Sequence, residues 1–249
     1  MSANWRRLVF QKEPGGTLAS ARGVREMQFM PRRALLPLLA ALVLAALPAA
    51  AAPTRIACVG DSITAGYGLK DPAHEAWPAV LGRLLGPGYE VRNFGVSATT
   101  LLRHGNYPYW ERPAFAEAGE FAPQIVILKL GTNDTKPVNW DTHAGEFATD
   151  AAALIEHFAN LPSKPAVWIC LPAPIFANKF TIEEFNATQV RTLLRSVAAE
   201  YHVPVIDPRP ALANHPEYFP DGVHPTAAGA AVLAQVVAEA LRTAQRSAP

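Results

Sequence analysis

Cysteine is nearly absent. Two residues, Cys58 and Cys170, in a chain of 249 are too few for the disulfide framework that staples small exported domains. Charge is also sparse: Lys, Arg, Asp and Glu make up 17% of the residues against 50% apolar ones, and such a chain collapses rather than staying disordered. Neither sign dominates, with 22 basic side chains against 21 acidic ones. Positions 1–51 hold seven of the basic and two of the acidic residues, which leaves 15 against 19 from Ala52 onward, a net charge of −4. This acidic remainder lacks the electrostatic footprint of a nucleic-acid-binding protein. The sequence has no internal repeat, and 249 residues provide ample apolar material for one sizeable core.

A leader stands out among what is present. After Met30 come Pro31, Arg32 and Arg33, then an apolar run over residues 34–47, then Pro48 and four alanines. A short basic segment, an apolar stretch and small residues at a cleavage point predict a secretory signal peptide. The alternative is a transmembrane anchor, but the run falls short of the ~20 residues needed to span a bilayer. Cleavage is expected after Ala51, because cleavage after Ala52 would leave Pro53 at the new terminus. Met30 stands where a signal peptide begins, so the start at Met1 is earlier than the signal requires. The expected organisation is therefore an N-terminal extension and signal over residues 1–51, the signal proper being 30–51, and a single domain over 52–249. The destination is the periplasm or the exterior of a bacterial cell, without stable membrane insertion once the signal is removed.

From Thr54 onward, short apolar runs alternate with helical stretches. Strands are predicted over residues 55–59, 90–94, 125–130, 166–171 and 203–207, and helices over 77–85, 142–158, 182–201 and 226–242. Continuous apolar runs, in place of period-two alternation, predict strands buried on both faces of a parallel sheet. Five strands with helical crossovers make a three-layer α/β/α doubly wound domain. Residues 100–121, with Pro108, Pro113 and several aromatics, read as a long irregular insertion of the kind that serves a site.

Ligands of such a sheet bind beyond the carboxyl ends of its strands. The first strand ends in Gly60-Asp61-Ser62-Ile63-Thr64, the second in Asn93-Phe94-Gly95, and the third in Gly131-Thr132-Asn133-Asp134. A fourth cluster, Asp221-Gly222-Val223-His224-Pro225, precedes the last helix. A serine hydroxyl attacks only when a base takes its proton, and a carboxylate-oriented imidazole does this at neutral pH. Ser62 is thus the candidate nucleophile, His224 the base and Asp221 its orienting carboxylate. The amides of Ser62 and Gly95 and the Asn133 side chain are the candidate oxyanion donors.

These four blocks resemble those of the SGNH (GDSL-type) hydrolases, whose serine, glycine, asparagine and histidine correspond in order to Ser62, Gly95, Asn133 and His224. The resemblance covers nearly all of the chain after the leader. It implies a flavodoxin-like five-stranded parallel sheet of order 2-1-3-4-5 and ester or thioester hydrolysis with no metal and no cofactor. Ser62 could otherwise be a plain helix N-cap, and His224 a capping or core histidine. Ser97 is a competing nucleophile, but its surroundings lack the final glycine of a G-x-S-x-G elbow. Asp207 competes with Asp221, and Asp134 is expected to bond nearby amides. In the 2-1-3-4-5 order, the third strand separates Cys58 from Cys170 by two spacings of ~4.8 Å, beyond the ~7 Å limit for bridging. Both are expected to be free, buried thiols.

The substrate is less legible. Asp61, Tyr107, Tyr109, Trp110, Lys136, Trp140 and Phe176 are the candidate binding residues. Tyr218 and Phe219 are further candidate lining residues, with Arg103 and Arg112 nearby. A flat aromatic beside Lys, Arg or Asn suits a sugar ring, although each of these side chains could equally serve loop packing. The block spacing and residues 106–113 resemble the carbohydrate O-acetylesterase type of SGNH esterase. The expected partner is a small-molecule or glycan ester. A periplasmic arylesterase or a lysophospholipase/thioesterase is the alternative, and a carbohydrate-binding module that has lost catalysis is a third reading.

Overall fold

A computed structural model describes residues 52–247, and within them the apolar strands divide their side chains between two cores. Strand β1 (Thr54–Gly60) sends Ala57 and Val59 to one face and Ile56 and Cys58 to the other. The period-two geometry of a strand therefore persists inside a sequence with no visible alternation. The sheet is completed by β2 (Tyr89–Gly95), β3 (Ile125–Lys129), β4 (Ala166–Cys170) and β5 (Val205–Ile206). All neighbours are parallel and the order is β2-β1-β3-β4-β5, as the sequence predicts. In register, Cys58 faces Ile127 and Ile127 faces Trp168, so β3 stands between the two cysteines, which are free and buried.

The helices are α1 (Ser62–Ala65), α2 (Pro72–Glu75), α3 (Trp77–Leu85), α4 (Pro113–Glu120), α5 (Pro137–His143), α6 (Phe147–Ala159), α7 (Glu184–Glu200), α8 (Arg209–Leu212) and α9 (Ala227–Ser247). Phe147, Leu154 and Phe158 of α6 and Val190, Leu194 and Val197 of α7 cover the Val59 face. Trp77 and Leu81 of α3 and Leu233, Val237 and Leu241 of α9 cover the Cys58 face. The result is the expected three-layer architecture. At the sheet edge, Arg92 and Asn93 of β2 are exposed, and charged or polar side chains there discourage pairing with another chain.

Three expectations are corrected. Residues 100–121 are not wholly irregular, since Pro113 occupies the first turn of α4, where its missing N–H costs nothing. The helix predicted over 142–158 is two helices, α5 and α6, joined by a 3₁₀ turn at Ala144–Glu146 around Gly145. The last strand shrinks to Val205–Ile206. Pro204 before it has no N–H for the ladder, and the Asp207 carboxylate turns the chain by accepting the Arg209 amide at 2.9 Å. The predicted leader lies outside the described residues.

The strand order reverses beside β1, with β2 on one side and β3 on the other. The loops after β1 and β3 flank this switch point, where doubly wound sheets bind their ligands.

Candidate active site

Ser62 begins immediately beyond β1. Asp61 is the N-cap of α1, with Oδ1 accepting the Ile63 amide at 2.9 Å, so that Ser62 is the first helical residue and its own N–H has no intrahelical acceptor. The turn is tight: a Cβ on Gly60 would stand 2.1 Å from Thr64 Oγ1 and 2.8 Å from the Lys129 carbonyl. Asp61 is fully buried in this capping role, which corrects its expected place among the substrate-binding residues.

Ser62 Oγ lies 2.9 Å from His224 Nε2, and His224 Nδ1 lies 2.8 Å from Asp221 Oδ2. The other carboxylate oxygen of Asp221 accepts the amides of Val223 at 3.0 Å and His224 at 2.8 Å, which locks carboxylate and ring into one turn. Gly222 makes that turn at φ 84°, and a Cβ there would meet the Ala177 carbonyl at 2.2 Å. Burial pushes the Asp221 pKa up, but the His224 amide, the His224 ring and the Val223 amide outweigh it and hold the group below the ordinary aspartate value. Asp207, the competing carboxylate, is paired with Arg195 instead. The His224 ring is flanked by Tyr67, with centroids 4.5 Å apart, and by the edge of Phe180 at 5.2 Å.

Asn133 is nearly buried and faces the same cleft. Its Nδ2 donates to the Thr99 carbonyl at 3.1 Å, and Asn139 Nδ2 donates to the Asn133 backbone carbonyl at 2.8 Å. The amide is thus fixed in orientation, and one of its two N–H groups remains without an acceptor among the described residues. Next to it, fully buried Asp134 accepts the amides of Leu101 at 3.0 Å and Leu102 at 2.7 Å, as expected of a structural carboxylate. Burial pushes its pKa up to about 7 against the lowering effect of those amides.

Gly95 is not where the sequence reading puts it. Its N–H donates to Asn93 Oδ1 at 2.9 Å, and it does not line the cleft. It is a glycine because α1 packs on it: a Cβ would stand 2.3 Å from the Ala65 nitrogen and 2.7 Å from the Thr64 carbonyl carbon. Three residues on, Ala98 does line the cleft. It takes the left-handed conformation at φ 69°, and its N–H has no acceptor among the described residues. The sequence holds no signal for this, since alanine is not a residue expected at positive φ.

The cleft has a volume of about 150 Å³ and is lined by Ser62, His224, Asn133 and Ala98, with Ser97, Tyr67, Lys136, Phe180 and Ile182 around them. Of the seven predicted binding residues, only Lys136 is among these. Burial pushes its pKa down, partly offset by Asp61 and Asp134. Tyr109 is fully buried and donates its hydroxyl to the Phe94 carbonyl at 2.7 Å. Trp140 packs edge-on against Phe147, and Phe176 packs against buried Phe219. Tyr107 is exposed under the Arg112 guanidinium. Trp110 carries Arg103 over its ring at 4.0 Å and lines a second depression with His104, Phe115 and His157. Tyr218 stacks on His215. Tyr67, Phe180 and Ile182 were not legible as site residues. Tyr67 is folded back by the left-handed turn at Gly66, and the Phe180 segment follows no strand end directly.

With the geometry established, the chain can be compared with known proteins. Residues 58–232 match the GDSL-like lipase/acylhydrolase family. The chain belongs to that family. It is 35% identical over 207 residues to an acetylxylan esterase from Xylanibacter ruminicola, an alignment covering 76% of this chain and 43% of the relative. The chain thus spans less than half of that protein's length. Similar solved structures include a carbohydrate acetylesterase from Sinorhizobium meliloti (TM-score 0.61, 21% identity, covering 77% of this chain and 99% of the other). Another is an aryl esterase from M. smegmatis (TM-score 0.60, 22% identity, covering 76% and 99%). At these identities the structural likeness speaks for the fold. These two structures share the fold whose switch point holds Ser62 here.

Proposed function

We propose that this protein is an exported serine esterase that removes short acyl groups, acetyl above all, from carbohydrate. The observation that carries the reading is the continuous hydrogen-bond chain from Asp221 through His224 to Ser62, which opens into a cleft of about 150 Å³. Ser62 Oγ attacks the ester carbonyl while His224 Nε2 takes its proton, and Asp221 stabilises the resulting imidazolium. The carbonyl oxygen gains negative charge and is met by the Ser62 and Ala98 amides and by the free N–H of Asn133. Collapse of the intermediate expels the alcohol, which receives its proton from His224, and leaves an acyl group on Ser62. Water then enters, gives its proton to His224 and releases the acid, restoring the Ser62 hydroxyl.

The small volume of the cleft, about 150 Å³, with Tyr67, Phe180 and Ile182 along its lining, supports a short acyl group. The acetylxylan esterase relative and the Sinorhizobium carbohydrate acetylesterase support a sugar on the alcohol side. The leader over residues 30–51 supports export to the substrate. The chemistry is tested by Ser62→Ala and His224→Ala, each expected to lower kcat about 10⁴-fold with an unchanged melting temperature, and by the double variant, expected to be scarcely worse. A Ser62→Ala enzyme that kept a tenth of the activity would move the nucleophile elsewhere. The substrate is tested by comparing acetylated xylo-oligosaccharides with phenyl acetate: a kcat/KM favouring the aryl ester would make the protein an arylesterase.

A further inference from the structure

Outside the cleft, two imidazoles converge on one carboxylate. His104 lies in the turns after β2, His143 is the last residue of α5, and Glu146 belongs to the 3₁₀ turn that follows. His104 Nδ1 stands 2.7 Å from Glu146 Oε2, and His143 Nδ1 stands 3.0 Å from Glu146 Oε1. The three ligand atoms all lie within 4.8 Å of one another. None of these residues lines the Ser62 cleft.

We propose that His104, His143 and Glu146 bind one zinc ion, which fastens the turn carrying His104 to the end of α5. A tetrahedral zinc ion holds its nitrogen and oxygen ligands at ~2.0–2.2 Å, so neighbouring ligand atoms stand about 3.3–3.6 Å apart. The two carboxylate-to-imidazole separations, 2.7 and 3.0 Å to different oxygens of Glu146, fall short of that edge by roughly 0.3–0.9 Å, and the side chains move apart by that much to admit the ion. Each imidazole coordinates in its neutral form, with its one proton on Nε2 and the Nδ1 lone pair given to the ion. Two neutral imidazoles and one carboxylate leave a fourth position for water, and His104 is exposed enough for the ion to enter from solvent. Elsewhere, His74 pairs with Asp71 and His215 with Glu217, one ring to one carboxylate. Convergence of two rings from separate elements distinguishes the proposed site from those surface pairs.

The site has a structural consequence. Residues 101–106 are already tied down by the Leu101 and Leu102 amides on Asp134, the Arg103 amide on Asp150 and the Asn106 amide on Asn139. Asp134 follows Asn133 in the chain, and Asn139 holds the Asn133 carbonyl. Zinc would add a further tie on the outer side of the segment that braces Asn133, and would leave the chemistry at Ser62 free of metal.

The test uses tag-free protein freed of metal with EDTA and dialysed. Titration calorimetry with zinc chloride is expected to give one equivalent at micromolar affinity or tighter, and saturating zinc should raise the melting temperature by about 5 °C. His104→Ala and Glu146→Gln should each weaken binding at least about tenfold and abolish the thermal shift, while His74→Ala keeps both. Turnover of 4-nitrophenyl acetate by the zinc-free protein, or by His104→Ala, should stay within about twofold of the untreated enzyme. Absence of binding would overturn the proposal. So would binding that survives both His104→Ala and Glu146→Gln, or zinc that blocks turnover by occupying His224. None of these results depends on which ester the enzyme prefers.

Discussion

Asn133 and Asp134 are adjacent, buried and polar, yet they answer to different tests. In the proposed mechanism the free N–H of Asn133 meets charge that develops only as the tetrahedral intermediate forms. Asn133→Ala should therefore cost about 10²–10³ in kcat with a smaller change in KM, and a rise in KM alone would assign it to ground-state binding. Asp134 instead holds two backbone amides. Removing its carboxylate in Asp134→Ala orphans both, at about 1–3 kcal/mol for each, which denaturant titration would register. Its pH dependence has a definite sign. The folded pKa, raised by burial to about 7, exceeds the unfolded value, so the native state holds this proton more tightly. The associated stability is complete below the unfolded pKa and is lost as pH rises through about 7. Asp134→Asn should flatten that part of the profile of melting temperature against pH. An unchanged slope between pH 4 and 7 would mean that other groups set it.

At the scale of elements, the strand ends were legible and their partners were not. The serine, asparagine and histidine blocks show in the sequence because each stands at a break in an apolar run, where glycine or a short polar residue must make the turn. The same rule misled at Gly95, where glycine admits the α1 backbone and donates its own N–H to Asn93. Ala98, the residue that reaches the cleft, carries no such mark. The two roles separate in Gly95→Ala, which keeps the backbone N–H but drives a methyl group into Thr64 and Ala65. The melting temperature should fall by an amount corresponding to about 1–3 kcal/mol or more, and kcat should fall with it as Ser62 is displaced. Loss of kcat at an unchanged melting temperature would return the donor role to Gly95. Proline misled in the opposite way: Pro113 read as a breaker but starts α4, whereas Pro204 and Pro208 do curtail β5. Two of the aromatic candidates are absent from the cleft because a buried core takes aromatics for their area. Tyr109 and Trp140 accordingly fill the space beneath the loops.

Across the whole molecule, the sheet fixes where the cleft lies and the loops fix how deep it is. β1 and β3 bring Ser62 and Asn133 to the switch point, a consequence of strand order that any member of the fold inherits. Tyr67, Phe180 and Ile182 come from the turn after α1 and from the chain between β4 and α7, and under the proposed function they set which acyl groups fit. On the proposed reading, a pocket of about 150 Å³ accepts an acetyl group and has little room for a longer chain. A lipid groove would instead gain up to ~0.8 kcal/mol, about fourfold in kcat/KM, for every methylene it buries. Across 4-nitrophenyl esters, kcat/KM should be highest for acetyl and fall at least about tenfold by hexanoyl. Phe180→Ala should move the optimum towards butanoyl or hexanoyl while leaving acetyl turnover within a few-fold, because it removes part of the lining without touching the hydrogen bonds of His224. An optimum at octanoyl in the unmodified enzyme would place the acyl chain outside this cleft and favour a lysophospholipase or thioesterase. An unchanged preference in Phe180→Ala would assign the depth of the pocket to Ile182 or Tyr67.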